Sequence, residues 1–271
     1  MTTLSQASLI NDALANPRVD KGSSLIALPD QFRLLTFNIQ AGIGTSSYRD
    51  YVTGSWKHLA GSATGRDKLT GIAHLIKDYD MVALQEVDGG SLRSRQINQL
   101  QFLAEQANFT FQHQQLNRDF GRLGQFSNGL LSRFAPYHVE NHRLPGPAGR
   151  GAIVSRYGDP ADPLVLVAVH LALGKKIRNL QLDYLAWRLQ AYRRVVIMGD
   201  FNATPFELAM SPLRRLGITP LDQCDFSYPS WSPGRRLDHI LTTPAVTVKA
   251  TNVLDCTLSD HLPIAMSISL T

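Results

Sequence analysis

Apolar residues recur along the chain in two periods, and the places where one gives way to the other mark out its elements. Arg33-Leu-Leu-Thr-Phe37, Met81-Val-Ala-Leu84, Gly129-Leu-Leu-Ser132, Gly151-Ala-Ile-Val154, Leu164-Val-Leu-Val-Ala-Val169, Val195-Val-Ile-Met198, Asp238-His-Ile-Leu241 and Ile264–Leu270 are short, dense apolar runs. Runs of this length, rich in branched side chains, predict strands buried on one or both faces. Between them the period lengthens. Leu69, Ile72, Ala73 and Ile76 within 67–79, and then Ile97, Leu100, Leu103, Ala104 and Ala107, fall at helical spacing and present one apolar stripe each. A third helix is predicted over 176–192.

Strands outnumber helices, some neighbouring strands are joined by short turns, and no repeat period emerges. This organisation predicts an α/β domain of mixed sheets covered by helices and argues against an alternating barrel of parallel strands. Residues 1–30, polar and broken by Pro17, Gly22 and Pro29, read as a lead-in arm to one domain spanning 31–271. The connection 43–66 is long and carries Tyr48, Tyr51 and Trp56 among small polar residues, which predicts a substrate-facing loop.

Composition narrows the class. With 44% hydrophobic and 18% charged residues among 271, the chain is that of a folded, soluble protein. No apolar run approaches the roughly 18 residues that a membrane-spanning helix needs. Residues 1–30 also lack the basic start and apolar core of an export signal. A cytoplasmic, monomeric protein with no stable membrane insertion is expected, with Cys224 and Cys256 reduced. The net charge of +5 and pI near 9.3 would help a polyanion approach, although the arginines are scattered along the chain. No Gly-x-Gly-x-x-Gly or Walker loop is present, which disfavours a kinase or a Rossmann dehydrogenase.

The chemistry lies at the ends of the predicted strands. Asn38, Glu86, His170, Asp200 with Asn202, Asp238, and Asp260 with His261 stand there one after another. Singly, each reads as a turn former or helix cap. Ser259-Asp-His261 is a case in point: it is either a local turn, or a junction offering a metal ligand and a proton-transfer group to one site. When sheets gather several strand ends, however, such groups converge on a single cleft. The set is rich in carboxylate and amide oxygen and contains no cysteine. That donor chemistry selects magnesium, manganese or calcium over zinc, and such ions serve phosphate chemistry.

Thr36-Phe-Asn38, Leu84-Gln-Glu-Val-Asp88, Ser127-Asn-Gly-Leu-Leu-Ser-Arg133, Val169-His-Leu171, Gly199-Asp-Phe-Asn202, Arg236-Leu-Asp-His-Ile240 and Ser259-Asp-His261 together resemble the ordered motifs of the endonuclease/exonuclease/phosphatase superfamily. The resemblance implies a four-layer α/β/β/α sandwich, two mixed sheets face to face with helices outside, and a metal-dependent phosphoesterase site at the rim. It makes Glu86 the principal metal ligand, with Asn38, Gln40 and Asp260 completing or supporting the metal and phosphate environment. Asp200 would activate the attacking water, and Asn202 would hold that water or a phosphate oxygen. His261 paired with Asp238 would serve as general acid/base or phosphate-stabilising imidazolium. His170 would face the scissile phosphate, and Asn128 and Arg150 would meet the phosphate.

Gln40 stands where abasic-site endonucleases carry an aspartate, and those enzymes lack an equivalent of His170. Both departures point to a two-histidine phosphodiesterase. The expected substrate is a phosphodiester, DNA or RNA foremost. A phospholipid head group or an inositol-type phosphate ester is the alternative, and a silent phosphate-binding module is the alternative of another class.

Overall fold

Side chains of β1 (Gln31–Asn38) alternate between two packed layers. Leu35 and Phe37 lie in a cluster with Leu69, Ile72 and Ile76 of α1 (Gly65–Ile76). Phe32 and Leu34 instead join a cluster with Leu166, Ala168, Val196 and Met198, residues of a second sheet. A strand covered on both faces reads as nearly continuous hydrophobicity, which is why β1 was visible in the sequence. The structure is a computed structural model that describes residues 28–40, 65–94, 96–220 and 225–270. The predicted arm up to residue 27, nearly all of the predicted loop 43–66, and Cys224 lie outside the described residues.

The first sheet contains β1, β2 (Met81–Asp88), β3 (Phe111–Asp119), β4 (Gln125–Ser132), β10 (Val246–Val253) and β11 (Ile264–Leu270). Their spatial order is β10-β11-β1-β2-β4-β3. The second sheet holds β5 (His138–Arg143), β6 (Gly151–Tyr157), β7 (Leu164–His170), β8 (Arg194–Asp200) and β9 (Asp238–Thr242), in chain order. One apolar cluster fills the space between the sheets. A second lies between the first sheet and α1 with α2 (Gln99–Gln106), and a third between the second sheet and α3 (Lys175–Leu189). The result is the expected four-layer sandwich. Each fully buried aliphatic side chain in these layers contributes about 1.5–3 kcal/mol.

Two parallel pairings create the rim that carries the polar groups. β1 runs parallel to β2, and β7 parallel to β8, so their C-terminal ends lie together: Asn38 beside Gln85 and His170 beside Asp200. The remaining pairings are antiparallel, so β9 begins where β8 ends and Asp238 pairs with Asp200. In the same way β11 enters opposite Thr36, with Asp260 and His261 just before it. Asp238 and Asp260-His261 stand at strand beginnings, and the antiparallel direction brings them to the same rim as the strand ends.

Gly199 explains how β7 and β8 approach each other at that rim. Its φ is +151°, and a Cβ there would lie 2.0 Å from the Val169 carbonyl oxygen. Only glycine fits this backbone.

Candidate active site

Glu86 is aimed by an irregularity of its strand. The register between β2 and β4 slips between Leu84 and Val87, and Glu86 adopts φ +58° inside the bulge. Bulges re-aim side chains and recur beside active sites, and a non-glycine residue at positive φ costs of order 1–3 kcal/mol that the surrounding structure must hold. The Glu86 carboxylate accepts a hydrogen bond from Asn38 Nδ2 at 3.3 Å. The same amide nitrogen donates to Asp200 Oδ2 at 3.2 Å, so Asn38 links the two sheets across the rim. Asn38 Oδ1 accepts the backbone N–H of Gln40 at 3.1 Å, in a turn where Gln40 has φ +42°.

Asp200 is held from several sides. Its Oδ1 accepts the backbone N–H of Asn202 at 2.8 Å, and Asn202 turns through φ +50° to deliver it. The Asn202 side chain donates to the Leu171 carbonyl at 3.0 Å, which fixes the loop after β8 to the end of β7. His170 Nε2 lies 3.5 Å from Asp200 Oδ2. Burial, with Arg150 and His261 adding to it, holds His170 well below the usual histidine range. The ring is therefore neutral at pH 7, and the contact with Asp200 is polar rather than an ion pair.

His261 has the opposite character. Its Nδ1 lies 2.8 Å from Asp238 Oδ2, a carboxylate that also accepts the Ser227 hydroxyl at 2.7 Å. Burial alone would depress the imidazole, but Asp238, with Asp200 and Asp260 behind it, pushes it up to about 10. Both ring nitrogens then carry protons at pH 7, and Nε2–H is left to donate outward. The segment beside it was not anticipated from the sequence. The Tyr228 ring centroid lies 4.8 Å from that of His261. Ser230 donates to the Asp260 and Ser259 carbonyls, and Leu262 N–H to the Ser227 carbonyl. Ser227 and Tyr228 occupy no dense apolar run and no recognised motif, so no sequence signal pointed to them.

Three potential ligand atoms, one each from Asp200, Asp238 and His261, lie within 4.8 Å of one another. The His261–Asp238 hydrogen bond already commits a ring nitrogen and a carboxylate oxygen, so this trio reads as a proton-handling cluster. Glu86 and Asp260 are the other carboxylates of this rim that could hold a cation. Burial raises the pKa of Glu86, Asn38's hydrogen bond opposes that, and Asp260 adds to it. Burial likewise raises Asp260, with His261 as the main opposing charge. A half-buried Glu86 whose ionised form Asp260 disfavours, beside the buried Asp260, is what a divalent cation would compensate, and the oxygen donors suit magnesium or manganese. Burial also raises Asp200, and Asp238 raises it further, to about 7.

A cleft of about 530 Å³ opens from this rim, with Glu86, Asn128, Arg150 and His170 in its walls. Asn128 is buried and donates Nδ2 to the Gly151 carbonyl at 2.9 Å; its Oδ1 has no hydrogen-bond partner among the described residues. Burial holds Arg150 below its usual value, against the pull of Asp200 and Glu86. Other residues of the recognised motifs are structural. Asp88 caps the following turn through the N–H groups of Gly90 and Ser91, and Arg133 donates to the carbonyls of Tyr79 and Asn108. His239 is buried against the Ala203 carbonyl at 2.8 Å.

Comparison with known proteins bears on the family and the fold. Residues 35–261 match the profile described as the Endonuclease/Exonuclease/phosphatase family. No curated protein matches the chain significantly. Among solved structures, an endonuclease/exonuclease/phosphatase from Beutenbergia cavernae DSM 12333 superposes with a TM-score of 0.68 at 21% identity, covering 89% of this chain and 72% of that one. A mannosyl-6-phosphatase from Bacteroides thetaiotaomicron VPI-5482 gives 0.66 at 17%, covering 88% and 100%. A humanized D. rerio TDP2 gives 0.63 at 17%, covering 89% and 100%. At such identities the likeness shows a shared fold.

Proposed function

Because the chain belongs to the endonuclease/exonuclease/phosphatase family, whose members hydrolyse phosphoester bonds, we propose that it is a metal-dependent phosphodiesterase that attacks nucleic acid with an activated water. The observation that carries this reading is the placement of Asp200 and the Asp238–His261 pair within 4.8 Å of one another, with the half-buried Glu86 joined to Asp200 through Asn38. A divalent ion bound by Glu86 and Asp260, with Asn38 orienting Glu86, would supply charge neutralisation at the phosphate and the leaving oxygen.

The chain's own groups divide the remaining work. Asp200, fixed by Asn202 and Asn38, takes a proton from the attacking water, and a carboxylate raised towards neutrality is suited to that role. Asp200 and His261 offer atoms within 4.8 Å of one another, so a phosphate attacked by water at Asp200 would meet His261 on that side and release an in-line leaving group on the other. The Nε2–H of His261 therefore donates to a non-bridging phosphate oxygen, where charge grows in the transition state. Asp238 holds the ring and keeps it charged. Neutral His170 and Arg150 add donors around the same phosphate, and no covalent enzyme intermediate is formed.

One observation favours a second reading. Leu173 at the cleft mouth is 76% exposed, as an enzyme working on phospholipid head groups at a membrane surface would require. No helix among the described residues is long and apolar enough to cross a membrane. The test is hydrolysis of bis(p-nitrophenyl) phosphate, single-stranded oligonucleotide and phosphatidylcholine vesicles, each with magnesium or manganese and again with EDTA. Cleavage that requires the metal and prefers the oligonucleotide is expected. Preference for vesicles would transfer the assignment to the lipid reading, and EDTA-insensitive cleavage would remove the metal from it.

A further inference from the structure

Of the groups assigned above, Glu86, Asn128, Arg150 and His170 line the cleft. Arg118, Phe120, Phe126, Ala148, Leu173 and Ile177 make up much of the rest of its wall. None of these was singled out by a motif for a role. Phe120 is 53% exposed, and it stands in the cleft wall with Leu173, which is 76% exposed. The Phe120 ring is nevertheless braced: Phe126 meets it edge to face at 6.1 Å between centroids, and the Arg118 guanidinium lies 5.4 Å from its centre.

Arg118 is also tied to the catalytic groups. A Cβ on Gly149 would sit 3.5 Å from Arg118 Nε, so this arginine lies along the backbone that presents Arg150. The two positive charges are close enough to disfavour each other, although burial dominates the shift at Arg150. The wall thus carries one guanidinium beside the scissile position and another beyond it, next to a braced aromatic ring. Aromatic faces flanked by arginines take stacked bases without regard to sequence, and guanidiniums take the phosphates between them. Asn117 and Asn128 also line the cleft, and the buried Asn128 Oδ1, which has no hydrogen-bond partner among the described residues, is an acceptor that an acyl chain would leave unmatched. A volume of about 530 Å³ encloses one drug-sized ligand, which in nucleic-acid terms is a nucleotide or two and not a base-paired stack.

We propose that this part of the cleft is a nucleotide subsite. It takes an unpaired base of a single-stranded nucleic acid on Phe120 while Arg118 holds the neighbouring phosphate, so that the enzyme selects single strands or frayed ends over duplex. The proposal rests on the phosphodiesterase reading above and adds the substrate's strandedness and the residues that choose it.

The experiment compares the intact protein with Phe120→Ala, Phe120→Trp, Arg118→Ala and, as a distant exposed aromatic, Trp187→Ala. Substrates are a single-stranded oligonucleotide, its duplex and bis(p-nitrophenyl) phosphate, each with magnesium and again with manganese. The unaltered protein should cleave the single strand at least about tenfold faster than the duplex. Phe120→Ala should lose about tenfold or more of kcat/KM on the single strand, chiefly through KM, and clearly less on the small diester. Phe120→Trp should restore the oligonucleotide rate, Arg118→Ala should flatten its salt dependence by about one phosphate contact, and Trp187→Ala should change nothing.

Equal rates on duplex and single strand would overturn the proposal. So would a Phe120→Ala loss that is the same on the oligonucleotide and the small diester. Should the unaltered protein hydrolyse none of the substrates with either magnesium or manganese, the phosphodiesterase reading itself fails and this subsite fails with it.

Discussion

His261 carries a positive charge that its burial alone would forbid. The charge survives because Asp238 lies 2.8 Å from Nδ1 and is itself aligned by the Ser227 hydroxyl at 2.7 Å. Asp238→Asn removes the carboxylate while keeping the shape. In that variant kcat should fall by roughly 100-fold or more, since a neutral imidazole at the same place no longer stabilises the phosphate. The sign of the pH effect follows from the same pair. With His261 raised to about 10, the charged ring persists through neutral and mildly alkaline pH. Without Asp238 burial is opposed only by Asp200 and Asp260, so the ring should titrate well below that value and the alkaline limb of the kcat profile should move down with it. An unchanged limb would show that the ring is not the group that titrates. Ser227→Ala, which leaves the carboxylate in place, should cost less, about threefold to tenfold in kcat. The acid–histidine pair was legible from its motifs. Ser227 and Tyr228 were not, because they come from a turn with no period and act only through what the fold brings beside them.

Elements covered on both faces announced themselves, and the three missed strands are those that are not. β3, β5 and β10 stand at sheet edges and carry glutamines, histidines, lysine and asparagines among their apolar residues. In β10 the alternation is also broken by a register shift between Val248 and Ala250. β5 is held by charge instead of burial. Glu140 accepts from His138 and His142 on its own strand, from Arg156 on β6 and from Arg188 on α3, fastening the edge strand to the sheet and the helix layer. His142, then His138 and Arg156, hold its carboxyl well below the usual range despite some burial. A depressed carboxylate contributes stability above its unfolded value of about 4.3 and loses it as pH falls below that. Glu140→Gln should therefore lower Tm by about 2–4 °C at pH 7, given that the network is part-exposed, and the deficit should shrink towards pH 3. A deficit that persists undiminished at pH 3 would mean that packing, not charge, is what Glu140 supplies. Gly199→Ala belongs to the same scale. Its Cβ would meet the Val169 carbonyl, so β7 and β8 must part at the rim, at a cost of about 3 kcal/mol or more by chemical denaturation.

At the scale of the molecule, two sheets whose parallel pairs end on one rim gather Asn38 and Glu86 from one side and His170, Asp200 and Asp238 from the other. The four-layer arrangement was readable because its central strands are nearly unbroken apolar runs. Which part of the cleft would receive the substrate was not, because Arg118, Phe120 and Leu173 are ordinary surface residues until the fold places them along one wall. The same convergence predicts where a cation binds. Manganese titrated calorimetrically into the protein should bind, and Glu86→Gln should weaken that binding by 10-fold or more while leaving Tm nearly unchanged in the absence of metal.

The most direct test of the account is the turnover of bis(p-nitrophenyl) phosphate with saturating magnesium by the protein and its Glu86→Gln and His261→Ala variants, each shown by circular dichroism to be folded. Both variants should fall by roughly 100-fold or more in kcat. Near-normal turnover in either folded variant would contradict the assignment of the site.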